Sequence, residues 1–250
     1  RAQAAPGDPV RVTLLWQVMD PVSLPSNPVL TLNLVTSTGA PILTSTSVIA
    51  PQYPIANWRP DDRLRTEILL RLPARTPPGE HIWQARIEQT MSLTLPNALL
   101  VHEIERQWTP PPLAIPLDTR LEPVATLLGA NVVSPLNSLP TSHPLTVTLV
   151  WQAEAESEKS YHVFVHVLDP AGNIIAQNDA APAQWQRPTT SWLHGEIVLD
   201  EHVLGMPVDT LAGDYTLLCG LYDPETGDRL TTPTGSDAIF IETFYMRGPD

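Results

Sequence analysis

Two halves of this chain are written to one plan, and that repeat limits what it can fold into more than any other feature. Val12-Thr13-Leu14-Leu15-Trp16-Gln17 returns as Val147-Thr148-Leu149-Val150-Trp151-Gln152, an offset of 135 residues. Downstream, at an offset of 134, Pro54 matches Pro188, Trp58 matches Trp192, Pro73 matches Pro207 and Gly79 matches Gly213. Leu64, Leu69 and Leu72 fall opposite Val198, Val203 and Met206 in the same register. A slip of one residue is what a single loop deletion leaves behind. Self-similarity at a fixed period marks a duplicated structural unit, here a module of about 120–135 residues, within the usual domain range.

Composition places the boundary. Trp108-Thr109-Pro110-Pro111-Pro112 closes the first copy; three prolines cannot feed a central strand and favour a stiff, extended spacer. The expected division is therefore a first module over 1–109, a proline-rich linker over 110–120 and a second module over 121–250. The second copy carries a strand-like stretch, Val124-Ala125-Thr126-Leu127-Leu128-Gly129, ahead of its Trp151 strand. The matching stretch of the first copy would precede Arg1, so the first module is expected to be truncated or to complete its sheet another way. A start at Arg1-Ala2-Gln3, with no Met, no basic segment and no apolar segment, reads as a processed end or a piece of a longer protein.

The elements read as strands and turns. Val12, Leu14 and Trp16 alternate with Arg11, Thr13 and Gln17, the period of two that a half-buried strand requires. Tyr161 to Leu168 runs into Asp169-Pro170-Ala171-Gly172 and resumes at Asn173, and Asp214 to Tyr222 runs into Asp223-Pro224-Glu225-Thr226-Gly227; both are hairpin signals. The best helical candidate, Arg63 to Arg71, aligns with Ile197 to Gly205, where Val198, Leu199 and Val203 favour strand. The expected fold is all-β: two tandem antiparallel β-sandwiches, Ig-like or jelly-roll-like.

Charge and cysteine narrow the function. Fourteen basic against 27 acidic side chains leave a formal charge of −13, so no cationic surplus exists for nucleic-acid binding. Up to Asp118 there are nine basic and ten acidic residues; beyond it, five and 17. The acidity thus belongs to the second copy, which makes acidic polymers and anionic lipid poor partners for that half. Cys219 stands alone, which excludes an internal disulfide. No run of about 18 apolar residues spans a membrane, so no membrane insertion is expected. The 42% of apolar residues, seven tryptophans among them, can build a core.

Several constellations invite chemistry. His162 and His166 on a strand lie about 13 Å apart, too far to share a metal, and lie on the face of Phe164. Glu196 and Asp200 could fall on one strand face at the separation a glycoside hydrolase needs. Asp62 and Thr66 hold those places in the first copy, so the pair is not part of the module's plan and reads as a solvated strand edge. Asp169, Asp223, Glu225 and Asp228 in turns offer hard oxygen ligands for Ca2+, although Asp caps turns without any metal. Cys219 alternates with Leu217 and Leu221 and reads as a buried hydrophobe. No G-x-S-x-G elbow is present.

Trp16 and Trp151 fall in the core phase of their strands, and Trp58 and Trp192 take matching structural places. Trp185 has no aromatic counterpart; Pro51 aligns with it. It lies in Ala183-Gln184-Trp185-Gln186-Arg187, and a loop aromatic flanked by amides and a guanidinium suits sugar stacking or a protein contact. The candidate ligand-binding residues are thus Trp185, Gln186 and Arg187, with Tyr53 in the first copy.

Tyr161-His162-Val163-Phe164-Val165-His166-Val167-Leu168-Asp169, Gln177-Asn178-Asp179, Trp192-Leu193-His194-Gly195-Glu196, and Gly213-Asp214-Tyr215 leading to Gly220-Leu221-Tyr222-Asp223 together resemble a known module. It is the β-sandwich at the C-terminal, extracytoplasmic end of bacterial membrane proteins similar to dolichyl-phosphate-mannose-type glycosyltransferases, especially those of Chloroflexi-like bacteria. The likeness covers about 120–245 well and 7–108 weakly, and departs where His194 replaces the usual proline. It implies an extracytoplasmic location, tethered through a parent protein, and an accessory, non-catalytic role. The expected function is a monomeric binding module that contacts glycan or a partner protein through end loops. A purely structural spacer is the alternative, and a stand-alone glycoside hydrolase the remote one.

Overall fold

A computed structural model describes residues 2–20, 28–88, 91–133 and 144–246. The chain divides into two compact units, Arg1–Ile104 and Glu105–Asp250. Strands and turns make up both, and the described residues contain no α-helix.

The first unit holds β1 (Ala2–Ala4), β2 (Pro9–Gln17), β3 (Val29–Thr36), β4 (Pro41–Val48), β5 (Arg63–Arg71), β6 (Gly79–Ile87), β7 (Met91–Thr94) and β8 (Leu99–Val101). One sheet runs β1-β8-β6-β3-β4, with β7 also on β6; the other is the pair β2-β5. Arg63–Arg71, the helical candidate, alternates strictly between buried and exposed positions as β5. Val12, Leu14, Leu64 and Ile68 from one sheet meet Leu30, Leu32, Leu34 and Trp83 from the other in a single core. Full burial of each such side chain is worth about 1.5–3 kcal/mol.

The second unit holds β9 (Ile115–Leu121), β10 (Ala125–Val133), β11 (Leu145–Ala153), β12 (His162–Leu168), β13 (Ile174–Ala180), β14 (Ile197–Leu204), β15 (Gly213–Tyr222) and β16 (Ile239–Met246). Its sheets run β14-β11-β10-β9 and β13-β12-β15-β16. The chain crosses between sheets after β11, β13 and β14, the order of an immunoglobulin-like sandwich. Tyr215, third in β15, donates its hydroxyl to the carbonyl of Leu211 at 2.9 Å, the tyrosine corner of that architecture. These features decide between the two topologies left open above.

One expectation needs revision. The 110–120 segment is no bare spacer, because Ile115–Leu121 is strand β9, paired antiparallel with β10. Gly129 permits that pairing: a Cβ there would lie 2.3 Å from the Ile115 carbonyl. The sheet of the first unit that matches β14-β11-β10-β9 is shorter. It has only β2 and β5, and among the described residues no strand lies on β2 where β10 lies on β11.

The duplication extends to hydrogen bonds. Trp58 Nε1 donates to Tyr53 O and Trp192 Nε1 to Arg187 O, both at 2.8 Å. Each tryptophan follows a three-residue 3-10 turn, Ile55–Asn57 or Thr189–Ser191. Thr76 and Thr210 bond the carbonyls of Pro73 and Pro207 in the same way.

Candidate functional site

The loop before the second 3-10 turn has an uncommon backbone. Ala183, Gln184 and Trp185 adopt φ of 52°, 53° and 71°, three consecutive left-handed residues, none of them glycine. Each costs roughly 1–2 kcal/mol through the approach of Cβ to the following carbonyl. The turn closes on itself, with Trp185 N bonding Ala181 O at 3.0 Å and Arg187 N bonding Pro182 O at 3.1 Å. It is also held from below: Ala183 N donates to Asp200 Oδ1 at 2.8 Å, and Gln184 Nε2 to Glu201 O at 2.7 Å. Such strain persists only where surroundings over-determine it.

Asp200 is the anchor. It is fully buried, and its Oδ2 takes Trp151 Nε1 at 3.3 Å and lies 2.9 Å from His202 Nε2. His202 Nδ1 lies 2.8 Å from Asn178 Oδ1 on β13. Glu196 is buried as completely. It accepts from Arg106 and Arg187 in two close ion pairs, and from Leu193 N at 2.9 Å. The sequence suggested a solvated edge or a hydrolytic pair; neither carboxylate has any surface from which to meet water or substrate. Both are interior supports, because desolvated carboxylates persist only with charged or hydrogen-bonded partners.

What the turn presents is Trp185, 63% exposed. Its ring meets His162 edge-on at 4.8 Å between centroids, and His162 meets Tyr222 at 5.5 Å in the same manner. Tyr222 Oη and His162 Nδ1 are 3.4 Å apart. Phe164 follows along β12, 6.4 Å from Tyr222 and 4.9 Å from His166, and is capped by the Arg229 guanidinium 4.2 Å above its ring. Phe164 lies across Gly220, where a Cβ would fall 2.4 Å from the ring. The result is an aromatic strip along the outer face of β12 and β15, ending at Trp185. Burial pushes the imidazoles of His162 and His166 below their ordinary pKa, against the pull of Asp179.

Not all of the residues singled out in the sequence join this strip. Gln186 is exposed beside Trp185. Arg187 is instead bound to Glu196 and, at 3.3 Å, to Glu105 O. It lines a separate groove of about 770 Å³ with Arg106, Trp108 and Leu199. Tyr53 belongs to the other unit and occupies the position of Arg187 rather than of Trp185. Its hydroxyl donates to Asn57 O at 2.7 Å and touches Asp62 Oδ2 at 3.4 Å, as Arg187 touches Glu196. A groove of about 640 Å³ lies beside it, bordered by Asp62, Arg65 and Glu67.

His162 and His166 lie on one face of β12, as the strand reading required. The sequence reading missed how Tyr222 and Trp185 bring that face to a point. The signal available was the alternation of His162, Phe164 and His166 opposite a strand ending in Tyr222. The turn carboxylates cap their own backbones. Asp169 accepts from Ala171 N, Asn173 N and Asn173 Nδ2 at 2.8–2.9 Å, and Asp223 from Glu225 N and Lys159. Among the described residues no three His, Cys, Asp or Glu side chains gather as a metal site would require. Cys219 is fully buried, and burial pushes its thiol pKa far up.

No protein-family model matches this chain, and no curated protein matches it. Among solved structures, trypsin-activated α-2-macroglobulin from Escherichia coli is similar at 10% identity and TM-score 0.30, over 98% of this chain and 15% of that one. A glycosyl hydrolase family 2 member from Bacteroides cellulosilyticus is similar at 10% identity and TM-score 0.31, over 96% of this chain and 26% of that one. The chain therefore spans about a quarter or less of either protein.

Proposed function

We propose that this chain is a non-catalytic recognition segment whose second module contacts glycan through Trp185. The observation that carries this reading is the strained left-handed turn that lifts an exposed indole away from the body while a buried carboxylate holds the backbone beneath it. An indole with one edge packed on His162 and much of its surface in water is placed to stack on a pyranose ring. His162, Tyr222 and Gln186 stand within the same end as hydrogen-bonding groups for hydroxyls. The first module carries Val29, Thr31 and Asn33 along the matching strand β3, so the aromatic strip belongs to the second module alone.

Retention on immobilised polysaccharides and a glycan array tests the proposal. The wild-type chain is expected to be retained on at least one glycan, and Trp185→Ala to lose that retention with unchanged thermal stability. Retention of neither, or equal retention of both, would leave only the spacer role. The resemblance of residues 120–245 to extracytoplasmic modules of membrane glycosyltransferase-like proteins supports a location outside the cytoplasm, tethered through a parent. Protease accessibility of the segment on intact cells checks that location.

A further inference from the structure

We propose that the glycan taken at the Trp185 end is cationic: a pyranose stacks on the indole while the ammonium of an amino sugar in the same glycan pairs with the carboxylate of Asp179. This rests on the reading of Trp185 as a glycan contact and adds to it the chemical class of the ligand. Asp179 stands on the outer face of β13, directly opposite Phe164 of β12, which makes His162 and His166 its diagonal neighbours at about 7–8 Å. Trp185 packs on the first of these, 4.8 Å between centroids. A glycan that runs from the indole along the strip therefore passes His162 and meets the carboxylate within a few sugar residues.

Asp179 has a charge to offer. Its side chain is exposed, and its partner is Nε2 of His166, 3.4 Å away. That imidazole is buried, and burial holds it below its ordinary pKa, so at pH 7 it leaves the carboxylate's charge in place. The basic side chains around the strip are engaged elsewhere: Lys159 with Asp223, Arg187 with Glu196, and Arg229 with Asp237 at 3.4 Å. Burial lowers the pKa of His162 and raises that of Tyr222, and in both the charge of Asp179 is the next influence. Its field thus covers the ring beneath the indole and the ring beyond it.

The aromatic groups favour the same sign. Cations are drawn to the negative face of an aromatic ring, indole most strongly, and Trp185 is the most exposed ring of the strip. The strip already holds one cation in this way, the Arg229 guanidinium 4.2 Å above Phe164. A neutral glycan gains the stacking alone, whereas an anionic one meets both Asp179 and the ring faces with the wrong sign.

The probes are hexamers of one glucosamine backbone carrying N-acetyl groups, free amines or N-trimethyl groups, the last cationic at every pH. A hexamer of galacturonic acid is the anionic control, and binding to the full chain is measured by calorimetry at pH 7. The two cationic hexamers are expected to bind at least about threefold more tightly than the N-acetylated one, the reach of an exposed ion pair joined to a cation–π contact, and the anionic hexamer not to bind. Asp179→Asn is expected to erase that preference at an unchanged thermal midpoint, and Asp179→Glu to keep it. Trp185→Ala is expected to abolish binding of every hexamer, and added salt to weaken only the cationic ones. Equal, Trp185-dependent affinity for charged and uncharged hexamers, tighter binding of the anionic one, or a preference that survives Asp179→Asn overturns the cationic assignment and leaves the glycan reading intact. Cationic binding indifferent to Trp185→Ala, or no saturable binding of any hexamer, overturns the assignment as well, and the glycan reading then stands or falls on the array.

Discussion

Trp16 and Trp151 perform one task with different partners, and the difference measures what the second module has added. Trp16 Nε1 bonds the Thr66 hydroxyl at 3.0 Å; Trp151 Nε1 bonds Asp200, which also holds His202 and the amide of Ala183. Thr66→Ala leaves one indole N–H short of a partner, a loss of about 1–3 kcal/mol. Asp200→Ala strands three buried groups and is expected to cost about 3–5 kcal/mol, the range for breaking a buried charged network. Urea unfolding followed by tryptophan fluorescence checks the ranking, and equal costs would contradict it. The sequence revealed that Thr66 and Asp200 occupy one place, but not that the place lies in the interior. A carboxylate looks alike in print whether it is solvated or buried, and the partners that make burial tolerable, Arg106 and Arg187 for Glu196, lie 90 and 9 residues away.

At the scale of elements, the left-handed turn reverses an ordinary expectation. Ala→Gly in a strand costs about 0.5–1 kcal/mol, because glycine has more freedom to lose. At Ala183, with φ of 52°, the same change relieves a left-handed strain of about 1–2 kcal/mol. Ala183→Gly is therefore expected to be neutral or to stabilise by up to about 1 kcal/mol, whereas Ala125→Gly, fully buried in β10, destabilises. Thermal unfolding of the two variants decides it; destabilisation by Ala183→Gly comparable to Ala125→Gly would mean the turn is unstrained. Strands were the most legible part of this chain, because a period of two survives in β2 and β12 as plain text, whereas β5, with Ile68, Leu69 and Leu70 in a row, could be read as a strand only through its repeat partner. The left-handed turn was not legible: Ala-Gln-Trp carries no glycine or asparagine to announce positive φ, and Asp200 and Glu201, each 17 residues on from the group it binds, hold it there. The choice of Ig-like over jelly-roll order was equally hidden, since it depends on which strands pair, while alternation reports only which face is buried.

Across the whole molecule, the two modules share a plan and differ in the aromatic strip of the second, most of it buried and ending at the exposed Trp185. That strip also sets a dependence on pH. His162 and His166 have folded pKa values pushed below their unfolded value of about 6.5, chiefly by burial. Below that value the unfolded chain binds more protons than the folded one, so stability is lost as pH falls from about 6.5 through the lowered folded values. Three other groups act elsewhere or oppositely. Asp169, held low by Asn173, and Asp223, held low by Lys159, stabilise above the unfolded carboxylate value of about 3.9 and lose that contribution only in stronger acid. Glu242, pushed up by burial, stabilises at low pH and loses that contribution as pH rises through its folded value. Comparing variant with wild type cancels these common terms. His166→Gln is expected to flatten the fall in urea midpoint between pH 7 and pH 5, and His162→Gln to flatten it further. Because His162 packs on Trp185, glycan retention by the wild type is expected to weaken over the same interval. A midpoint slope identical in wild type and both variants would show that these imidazoles titrate alike in the folded and unfolded chains, and would remove the link between acid stability and the Trp185 end.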